Sequence, residues 1–342
     1  MTMRHAVQYF EFVRRHWALV ASGLFIAVLF IFSLTAIANP VLWKLQWPDT
    51  DFSRHSVDLG EIKSGGVGKD GIPAIDKPKF VPVEEMVKTK WIPGTEPVIA
   101  IGINGDMRAY PLRILTWHEI VNDTVGGVPI TVTYCPLCNS AVVFDRRLDG
   151  RVLDFGVSGN LRKSDMVMYD RQTESWWQQF LGEAIVGELT GKQLKMLPAR
   201  VESFARFAKR APAGKVLVPT GDVNRPYGSN PYRGYDSSGR PFLYQGEFPK
   251  GIAPLAYVLV VGKKAWALDL IRKRKRIEDG DLVITWAPGQ NSALDRGTIA
   301  ESRDLGNITV QRRTKDGLVD AVHDLTFAFV AHAFVPDVKI QR

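Results

Sequence analysis

Cysteine and histidine are scarce in this chain of 342 residues, which has only two cysteines and six histidines. Two cysteines cannot build a scaffold of several disulfides, so a hydrophobic core has to stabilise the fold. Hydrophobic residues make up 45% of the chain and charged residues 23%, which are ordinary values for a globular protein. This composition excludes wholesale disorder, a collagen-like repeat and a coiled coil.

Nucleic-acid recognition motifs are also missing, although the chain is basic. Its 44 lysines and arginines exceed its 36 acidic residues, which gives a net charge of +8. Such a balance suits nucleic acid or an anionic membrane surface as a partner. The densest basic run, residues 272–276, is more simply explained as a solvated face. We therefore expect no nucleic-acid partner, with attraction to anionic lipid headgroups as a lesser alternative.

Charged residues are absent from residues 17–38, and most of this run is apolar. A helix of these 22 residues, at about 1.5 Å each, spans the ~30 Å of bilayer hydrocarbon. Three arginines and one glutamate precede the run, so the positive-inside rule keeps the amino terminus in the cytoplasm. We predict a cytoplasmic tail over residues 1–16 and a single transmembrane signal anchor over 17–38. The rest of the chain would then lie in the periplasm or outside the cell.

A cleaved signal peptide is the alternative for the same segment. Ala36, Ile37 and Ala38 form an A-x-A cleavage site. The apolar run is longer than that of most signal peptides, which favours the anchor. Both interpretations place the remaining residues outside the cytoplasm.

Turn-forming and charged residues without a sustained period fill residues 39–80, which predicts a stalk or linker. From residue 81 to 342, short β-rich runs alternate with turn residues. Helical spacing is clear only in three places, residues 112–121, 201–209 and 325–334. We predict a mainly β extracytoplasmic domain with a few helices, built as an antiparallel β-barrel or β-sandwich.

The β-rich part contains two similar segments. Residues 130–141 align with residues 282–293 without a gap, and the upstream strands over 98–112 match those over 257–270. Two matches in the same order indicate an internal duplication, with units of about 91–200 and 250–342.

The duplicated segments differ at their two cysteines. Pro, Asn, Ser and Ala persist in both copies, whereas Cys135 and Cys138 are replaced by Ala287 and Gln290 in the second copy. The shared residues are best explained as a turn frame whose side chains bond the local backbone. The thiols then indicate one chemical site, confined to the first copy.

Cys135 and Cys138 flank a two-residue spacer at the end of a predicted strand, which is the spacing of a metal-binding knuckle. Such a site needs further ligands. His118 is the best candidate because it lies in the same unit just before the strand, whereas His323 and His332 have weaker claims. We therefore predict a transition-metal site at Cys135, Cys138 and His118, occupied by copper or zinc.

A methionine thioether is a further ligand that copper accepts, and Met166 and Met168 are the candidates for it.

A thiol–disulfide oxidoreductase is the first alternative for the cysteine pair. Cys135 would be the attacking thiolate and Cys138 the resolving thiol, and these would be the catalytic residues. Exchangers of the thioredoxin type place the pair at a helix amino terminus, whereas a strand pattern follows it here. A permanent disulfide in so small a ring is a third interpretation, worth only about 2 kcal/mol before strain.

A non-catalytic binding module, using the aromatic loop over residues 227–235, is a further alternative that needs no thiol chemistry. The expected partners of the thiol site are a periplasmic redox protein or a metal-handling protein. The sequence does not identify a substrate.

Several segments together resemble an uncharacterised prokaryotic family, the domain of unknown function DUF3179. The resemblance runs from about residue 91 to the carboxyl end, and its motifs occur in the family's order: residues 117–122, 133–146, 155–159, 164–175 and, within the last, 168–171. It implies an extracytoplasmic β-rich domain of a bacterium or archaeon and supplies no established reaction.

Overall fold

The computed structural model describes residues 40–221 and 225–342. The predicted cytoplasmic tail over 1–16 and the signal anchor over 17–38 lie outside these ranges. Within them, no helix is both long and apolar enough to cross a membrane. The membrane anchor therefore stays a prediction.

The domain is mainly β, as the sequence predicts. Its strands form five sheets of four or five strands, with mostly antiparallel pairing, in a propeller-like ring. This ring replaces the single barrel or sandwich that we predicted. The difference arises because strand patterns fix which residues form strands, whereas the partition of strands among sheets depends on contacts between distant segments.

The first three sheets come from the first part of the chain. Strands are numbered in chain order. Sheet 1 contains, in spatial order, β1 (Ile62–Ser64), β10 (Phe155–Arg162), β11 (Asp165–Asp170), β12 (Trp176–Gln178) and β13 (Glu183–Val186). Sheet 2 contains β14 (Lys195–Leu197), β7 (Ser140–Asp145), β6 (Val128–Cys135) and β5 (Ile120–Val125). Sheet 3 contains β15 (Arg200–Ser203), β3 (Pro97–Ile103), β4 (Asp106–Pro111), β16 (Lys215–Val218) and β2 (Lys79–Pro82).

The other two sheets come from the second part. Sheet 4 contains β23 (Asp324–Phe327), β17 (Tyr257–Val261), β18 (Lys264–Ala267) and β24 (Ile340–Gln341). Sheet 5 contains β19 (Arg276–Asp279), β20 (Leu282–Ala287), β21 (Asn307–Thr314) and β22 (Gly317–Asp320). A small ribbon pairs β8 (Arg147–Leu148) with β9 (Arg151–Val152).

The described residues also form six short α-helices of seven residues each. They are α1 (Pro40–Gln46), α2 (Val83–Thr89), α3 (Leu112–His118), α4 (Phe204–Arg210), α5 (Leu268–Arg274) and α6 (Ala328–Phe334). A helix forms at each of the three predicted helical stretches. Helices α3 and α6 lie within their predicted stretches, whereas α4 begins inside residues 201–209 and ends one residue beyond them. Each helix is shorter than its predicted stretch, because strand residues before or after it share its apolar spacing.

Sheets 3 and 4 have the same connectivity. In sheet 3 the strand β15 pairs antiparallel with β3, and after α4 the chain returns as β16, parallel to β4. In sheet 4, β23 pairs antiparallel with β17, and after α6 the chain returns as β24, parallel to β18. This shared path accords with the duplication that we infer from the sequence.

The two halves of the chain interlock. The β6–β7 turn docks on β23 of the second half, where Asn139 Nδ2 donates to the Leu325 carbonyl at 2.8 Å. In the reverse direction, the Ser203 backbone N–H of β15 donates to Asn307 Oδ1 at 2.8 Å. One hydrophobic core runs through both halves, so they form a single folded unit.

Residues 40–80 pack on this unit, which differs from the stalk that we predicted. The strand β1 pairs with β10 at the edge of sheet 1. Trp47 is fully buried, with its ring centroid 4.8 Å from Tyr169 and 5.2 Å from Trp176. This segment lacks hydrophobic periodicity, but burial of its few apolar residues is enough to hold it against the domain.

Candidate functional site

The cysteine pair lies in the tight turn between β6 and β7. Cys135 is the last residue of β6 and pairs with Ser140 of β7. Inside the turn, the Cys138 N–H donates to the Cys135 carbonyl at 3.2 Å, and Asn139 adopts a positive φ of 48°. A strand therefore follows the pair, as predicted, and the dipole of a helix amino terminus does not act on the thiols. Both cysteines are free and buried.

Asp165 is the third ligand-type group at this turn. Its carboxylate and the two sulfurs offer ligand atoms that lie within 4.8 Å of one another, and all three residues are buried. Asp165 begins β11, directly after the hairpin turn in which Lys163 and Ser164 take positive φ values of 52° and 69°. This turn places the carboxylate beside the sulfurs. The site is thus assembled from two β-hairpins of the first half.

The Asp165 carboxylate is held by nitrogen donors on one side and faces the thiols on the other. Its Oδ2 accepts hydrogen bonds from Gln178 Nε2 at 2.6 Å and from the Phe180 backbone N–H at 2.9 Å. Its Oδ1 accepts no hydrogen bond from nitrogen or oxygen among the described residues, and hydrogen bonds from the thiols of Cys135 and Cys138 lower the pKa of the carboxyl group. A cation in place of the thiol protons would satisfy this oxygen and both sulfurs.

Glu119 is a second buried acid close to the pair. It directly follows α3, with φ 58° and ψ −33°, and it is 7% exposed. Burial and the charge of Asp165 raise the pKa of Glu119 to about 8. Its carboxyl group forms no ion pair within the described ranges.

Burial dominates the proton affinities of the whole cluster. It raises the pKa of Asp165 to about 6. It also raises the pKa of the Cys135 thiol, with further contributions from the charges of Asp165 and Glu119. The pKa of Cys138 lies well above its usual range, because of burial and the neighbouring Cys135. Without a cation, both thiols therefore keep their protons at neutral pH.

His118 is placed differently from the prediction. Its Nδ1 lies 2.8 Å from the Pro73 carbonyl and its Nε2 lies 2.7 Å from the Tyr227 hydroxyl. Both ring nitrogens are therefore engaged away from the sulfurs, and the group within 4.8 Å contains Asp165 and no imidazole. The structure brings Cys135 and Cys138 together and does not bring His118 to them.

The two other candidate histidines are also separate from the pair. His323 Nδ1 lies 2.8 Å from the Ala321 carbonyl, and His332 is exposed on α6. Neither histidine belongs to the group formed by the two cysteines and Asp165. Met166 and Met168 are buried on β11 in the same hydrophobic core as Cys135 and Cys138.

The corresponding turn of the second half holds a carboxylate where the first holds sulfurs. Asp304 Oδ1 accepts the backbone N–H groups of Gly289 at 3.0 Å, Gln290 at 3.0 Å and Gly306 at 2.8 Å. Lys275 stands where the first half has Glu119, with nearly the same backbone angles of 61° and −30°. The frame is retained there, and both the thiols and the buried acid are replaced.

Tyr227, Tyr232 and Tyr235 of the aromatic loop pack against the hydrophobic core that contains both cysteines. Burial raises the pKa of Tyr232, and the charges of Glu119 and Cys135 raise it further. Burial and the charge of Cys138 likewise raise the pKa of Tyr235. The role of this loop as a binding surface stays a prediction.

Sequence reasoning missed Asp165 and Glu119. One clue was available for Glu119, because the second half has Lys275 at the matching place after its helix. Asp165 had no comparable sign in the spacing of the cysteines.

A family model described as "Protein of unknown function (DUF3179)" matches residues 69–338. No curated protein and no solved structure matches the chain. The family resemblance seen in the sequence is confirmed, and the site has to be interpreted from its own geometry.

Proposed function

The chain belongs to the DUF3179 family, and we propose that it binds one zinc ion through Cys135, Cys138 and Asp165. The observation that carries this proposal is the convergence of two sulfurs and a carboxylate whose Oδ1 accepts no hydrogen bond from nitrogen or oxygen within the described residues. Backbone turns and hydrogen bonds hold all three groups in place. The ion would therefore bind with little loss of side-chain conformational entropy.

The ligand set favours zinc over copper. Zinc accepts thiolate, imidazole and carboxylate ligands in a tetrahedral arrangement. Cuprous ion prefers a set made only of soft sulfur or imidazole ligands, and a carboxylate is a poor third ligand for it.

Electrostatics also support a cation at this place. Two thiols and two carboxylic acids are buried together, and neither Glu119 nor Asp165 forms an ion pair in the described part of the chain. A divalent ion would favour the thiolate forms of both cysteines and compensate the Asp165 charge. Three protein ligands leave one tetrahedral position unfilled. Glu119 is a further buried acid of this cluster, and with a pKa of about 8 it holds a proton at neutral pH.

The test is the metal content of the full chain, purified without chelators or a histidine tag. We expect about one zinc per chain and little copper, in line with a single buried ligand set. Replacing both cysteines by serine, or Asp165→Asn, should remove most of the zinc. Asp170→Asn is the matched control, because Asp170 is a fully buried carboxylate on the same strand that bonds Thr173 and Trp177 instead.

His118→Gln separates this ligand set from the one predicted from the sequence. If Asp165 is the third ligand, this variant keeps its zinc. Loss of zinc in His118→Gln together with retention in Asp165→Asn would assign the site to the imidazole. Equal zinc in the wild-type chain and the double serine variant would end the proposal.

A thiol–disulfide oxidoreductase is the second candidate, supported by the closeness of the two free thiols to a carboxylate that can take a proton. In this reaction the Cys135 sulfur attacks a partner disulfide, Cys138 resolves the mixed disulfide, and the partner leaves as two thiols. The raised pKa of both thiols works against it, because the thiolate is the attacking form. Rapid exchange of the metal-free protein with glutathione buffers, lost in Asp165→Asn, would favour this candidate.

A further inference from the structure

A cavity of about 490 Å³ lies between the two halves of the chain, and none of the three proposed zinc ligands lines it. Most of its wall is apolar and comes from both halves, with Val142, Phe180 and Met196 from the first and Val260, Ala321 and Val335 from the second. An apolar cavity of this size is a usual place for the hydrocarbon part of a small organic ligand.

The cavity reaches the protein surface beside an arginine. Arg312 and Val322 both line it, and they are 48% and 37% exposed. Val319 is also exposed and stands directly opposite Arg312 in the β21–β22 pair, where opposite side chains share one face of the sheet. Exposed apolar side chains around an opening are typical of a ligand-binding groove. The opening thus combines apolar surface with a cation.

Arg312 keeps hydrogen-bond donors for a ligand. Its Nη1 donates to both carboxylate oxygens of Asp281, at 2.8 and 2.9 Å. Its Nε and Nη2 form no hydrogen bond within the described residues. These two nitrogens form one edge of the planar guanidinium, which can donate two parallel hydrogen bonds to a carboxylate. Lys263 is exposed and directly follows Gly262 of the lining, so it adds a second positive charge at the cavity.

The other polar side chains of the lining have partners of their own. Asp320 forms an ion pair with Arg200 at 2.6 Å. Asp324 is buried, and its carboxyl group accepts hydrogen bonds from the Ser140 hydroxyl and from the following backbone N–H. His323 Nδ1 lies 2.8 Å from a backbone carbonyl, and burial lowers the pKa of the ring, so it carries no charge at neutral pH. Arg312 is therefore the group that a ligand's polar end would meet.

We propose that this cavity binds a free fatty acid, with the carboxylate on the Nε and Nη2 edge of Arg312 and the hydrocarbon chain against the valines and Phe180. A fatty acid combines the two features that the cavity offers a ligand, an anion at the surface and one apolar chain inside. Because Arg312 is half exposed, the carboxylate keeps contact with water and its charge is not buried. This proposal does not depend on zinc at the cysteines.

The experiment measures the binding of octanoate, octan-1-ol, octylammonium and acetate by calorimetry. It uses the full chain in nanodiscs of neutral phosphatidylcholine, with empty discs as the blank. We expect octanoate to bind one site per chain, about tenfold more tightly than octan-1-ol, because a carboxylate accepts charge-assisted hydrogen bonds from Arg312. Octylammonium should bind more weakly than the alcohol, and acetate should not bind measurably. From hexanoate to octanoate, the affinity should rise about fourfold for each added methylene.

A carboxylate can also bind a zinc ion that has an open position. Each titration is therefore repeated after removal of metal, where the same affinities are expected. Octanoate binding that disappears with the metal would place the carboxylate at the cysteines and overturn the proposal. The same binding in a chain that never held zinc would support the fatty-acid site while the zinc proposal fails.

Two matched pairs of variants locate the carboxylate and the chain of the ligand. Arg312→Gln should reduce the preference for octanoate over octan-1-ol to about onefold. Arg313→Gln should keep it, because Arg313 pairs with Glu278 at 2.7 Å and does not line the cavity. Val322→Asp places a negative charge in the lining and should abolish octanoate binding, whereas Val152→Asp changes an exposed valine outside the cavity and should not. All four side chains are at least partly exposed, so the variants should fold.

Several outcomes would overturn the proposal. They are the absence of saturable octanoate binding, equal affinity of the wild-type chain for octanoate and octan-1-ol, and octanoate binding that survives Val322→Asp. Tighter binding of dihexanoylphosphatidylglycerol than of octanoate would assign the cavity to a membrane lipid. Octanoate affinity that falls as the protein concentration rises would assign it to contact with a second copy of the chain.

Discussion

At the level of single residues, the thiols and the Asp165 carboxyl group of the site differ in protonation state at neutral pH. Near neutral pH both thiols are protonated, whereas Asp165, with a pKa of about 6, is mostly ionised. Zinc binding should therefore release about two protons per ion near pH 7.5, and the affinity should fall as the pH is lowered. Calorimetric titration in buffers of different ionisation enthalpy measures this release. Binding without proton release would contradict the thiolate site.

Glu119 should make the metal-free fold sensitive to alkali. Its pKa is raised from 4.5 to about 8, so the stability it contributes is present below about pH 4.5 and lost as the pH rises through about 8. Glu119→Gln cannot ionise. We expect the variant to match the wild-type chain near pH 5 and to exceed it above pH 8 by an amount on the order of a few kcal/mol. Urea unfolding at the two pH values measures the difference.

The control for this prediction is Glu84→Gln, because Glu84 is exposed on α2 and pairs only with Lys88. It should show no such dependence on pH. If Glu119→Gln lost stability at alkaline pH, the carboxylate would have to be paired in its charged form, which the described contacts do not provide.

The cysteine pair could be predicted from the sequence, and its third group could not. Spacing identifies two sulfurs on one turn, but Asp165 reaches them through a separate hairpin, and sequence alone does not say which of 36 acidic residues does so. His118 was a reasonable candidate for the third ligand because it lies just before the strand that ends at Cys135. The chain turns sharply at Glu119 after α3, which brings the glutamate to the cluster and leaves the imidazole between Pro73 and Tyr227.

At the level of elements, the docking of the β6–β7 turn on β23 should contribute measurably to stability. Thr326 Oγ1 donates to the Cys138 carbonyl at 2.7 Å, and Thr326 is fully buried. Thr326→Val keeps the shape and leaves that carbonyl with only the Phe327 N–H at 3.3 Å. We expect a loss of about 1–2 kcal/mol in the free energy of unfolding, measured by urea denaturation. The same variant should bind zinc more weakly.

Thr131→Val is the matched control for that prediction. Thr131 is equally buried on β6, but its Oγ1 has no hydrogen-bond partner among the described residues. Exchanging this hydroxyl for a methyl group should be neutral or stabilising. Similar losses in the two variants would mean that the turn does not depend on its bond to β23.

Helix positions were predictable to within a few residues, and helix ends were less so. The apolar spacing over residues 112–121 is continuous, yet α3 ends at His118 because Glu119 takes a positive φ. Lys275 ends α5 in the same way. At both positions the chain turns into the strand that follows. The spacing of apolar residues does not predict where such a turn ends the helix.

At the level of the whole molecule, the two halves should stay together after the connection between them is cut. Ser237, Ser238, Gly239 and Arg240 are exposed, and space is open around Gly239. A protease site inserted after Gly239 should be cleaved while the two fragments still co-elute in gel filtration and unfold in one transition. Shared core and inter-half hydrogen bonds provide the physical reason. Separation of the fragments without denaturant would show that the halves fold independently.

The predicted anchor over residues 17–38 is tested on the full chain. If it spans the membrane, the protein should stay in the membrane pellet after carbonate extraction, because the hydrophobic span is not released by alkali. Recovery in the wash at the full-length mass would contradict an anchor. Recovery of a chain shortened by about 38 residues would support the signal peptide instead.

Composition and alternation were enough to predict a mainly β domain, because strand periodicity is a local property of the sequence. The ring of sheets was not predictable in the same way. Its closure depends on pairs such as Arg200 with Asp320, which are distant in the chain. Residues 40–80 were assigned to a stalk for the same reason, since the burial of Trp47 is visible only once sheet 1 is formed.

The docking of the cysteine turn on the second half makes the site depend on residues that do not belong to it. The backbone of Leu325 and the side chain of Thr326 hold the turn that carries both sulfurs. A mutation that displaces this segment would therefore impair the site without altering any of its proposed ligands.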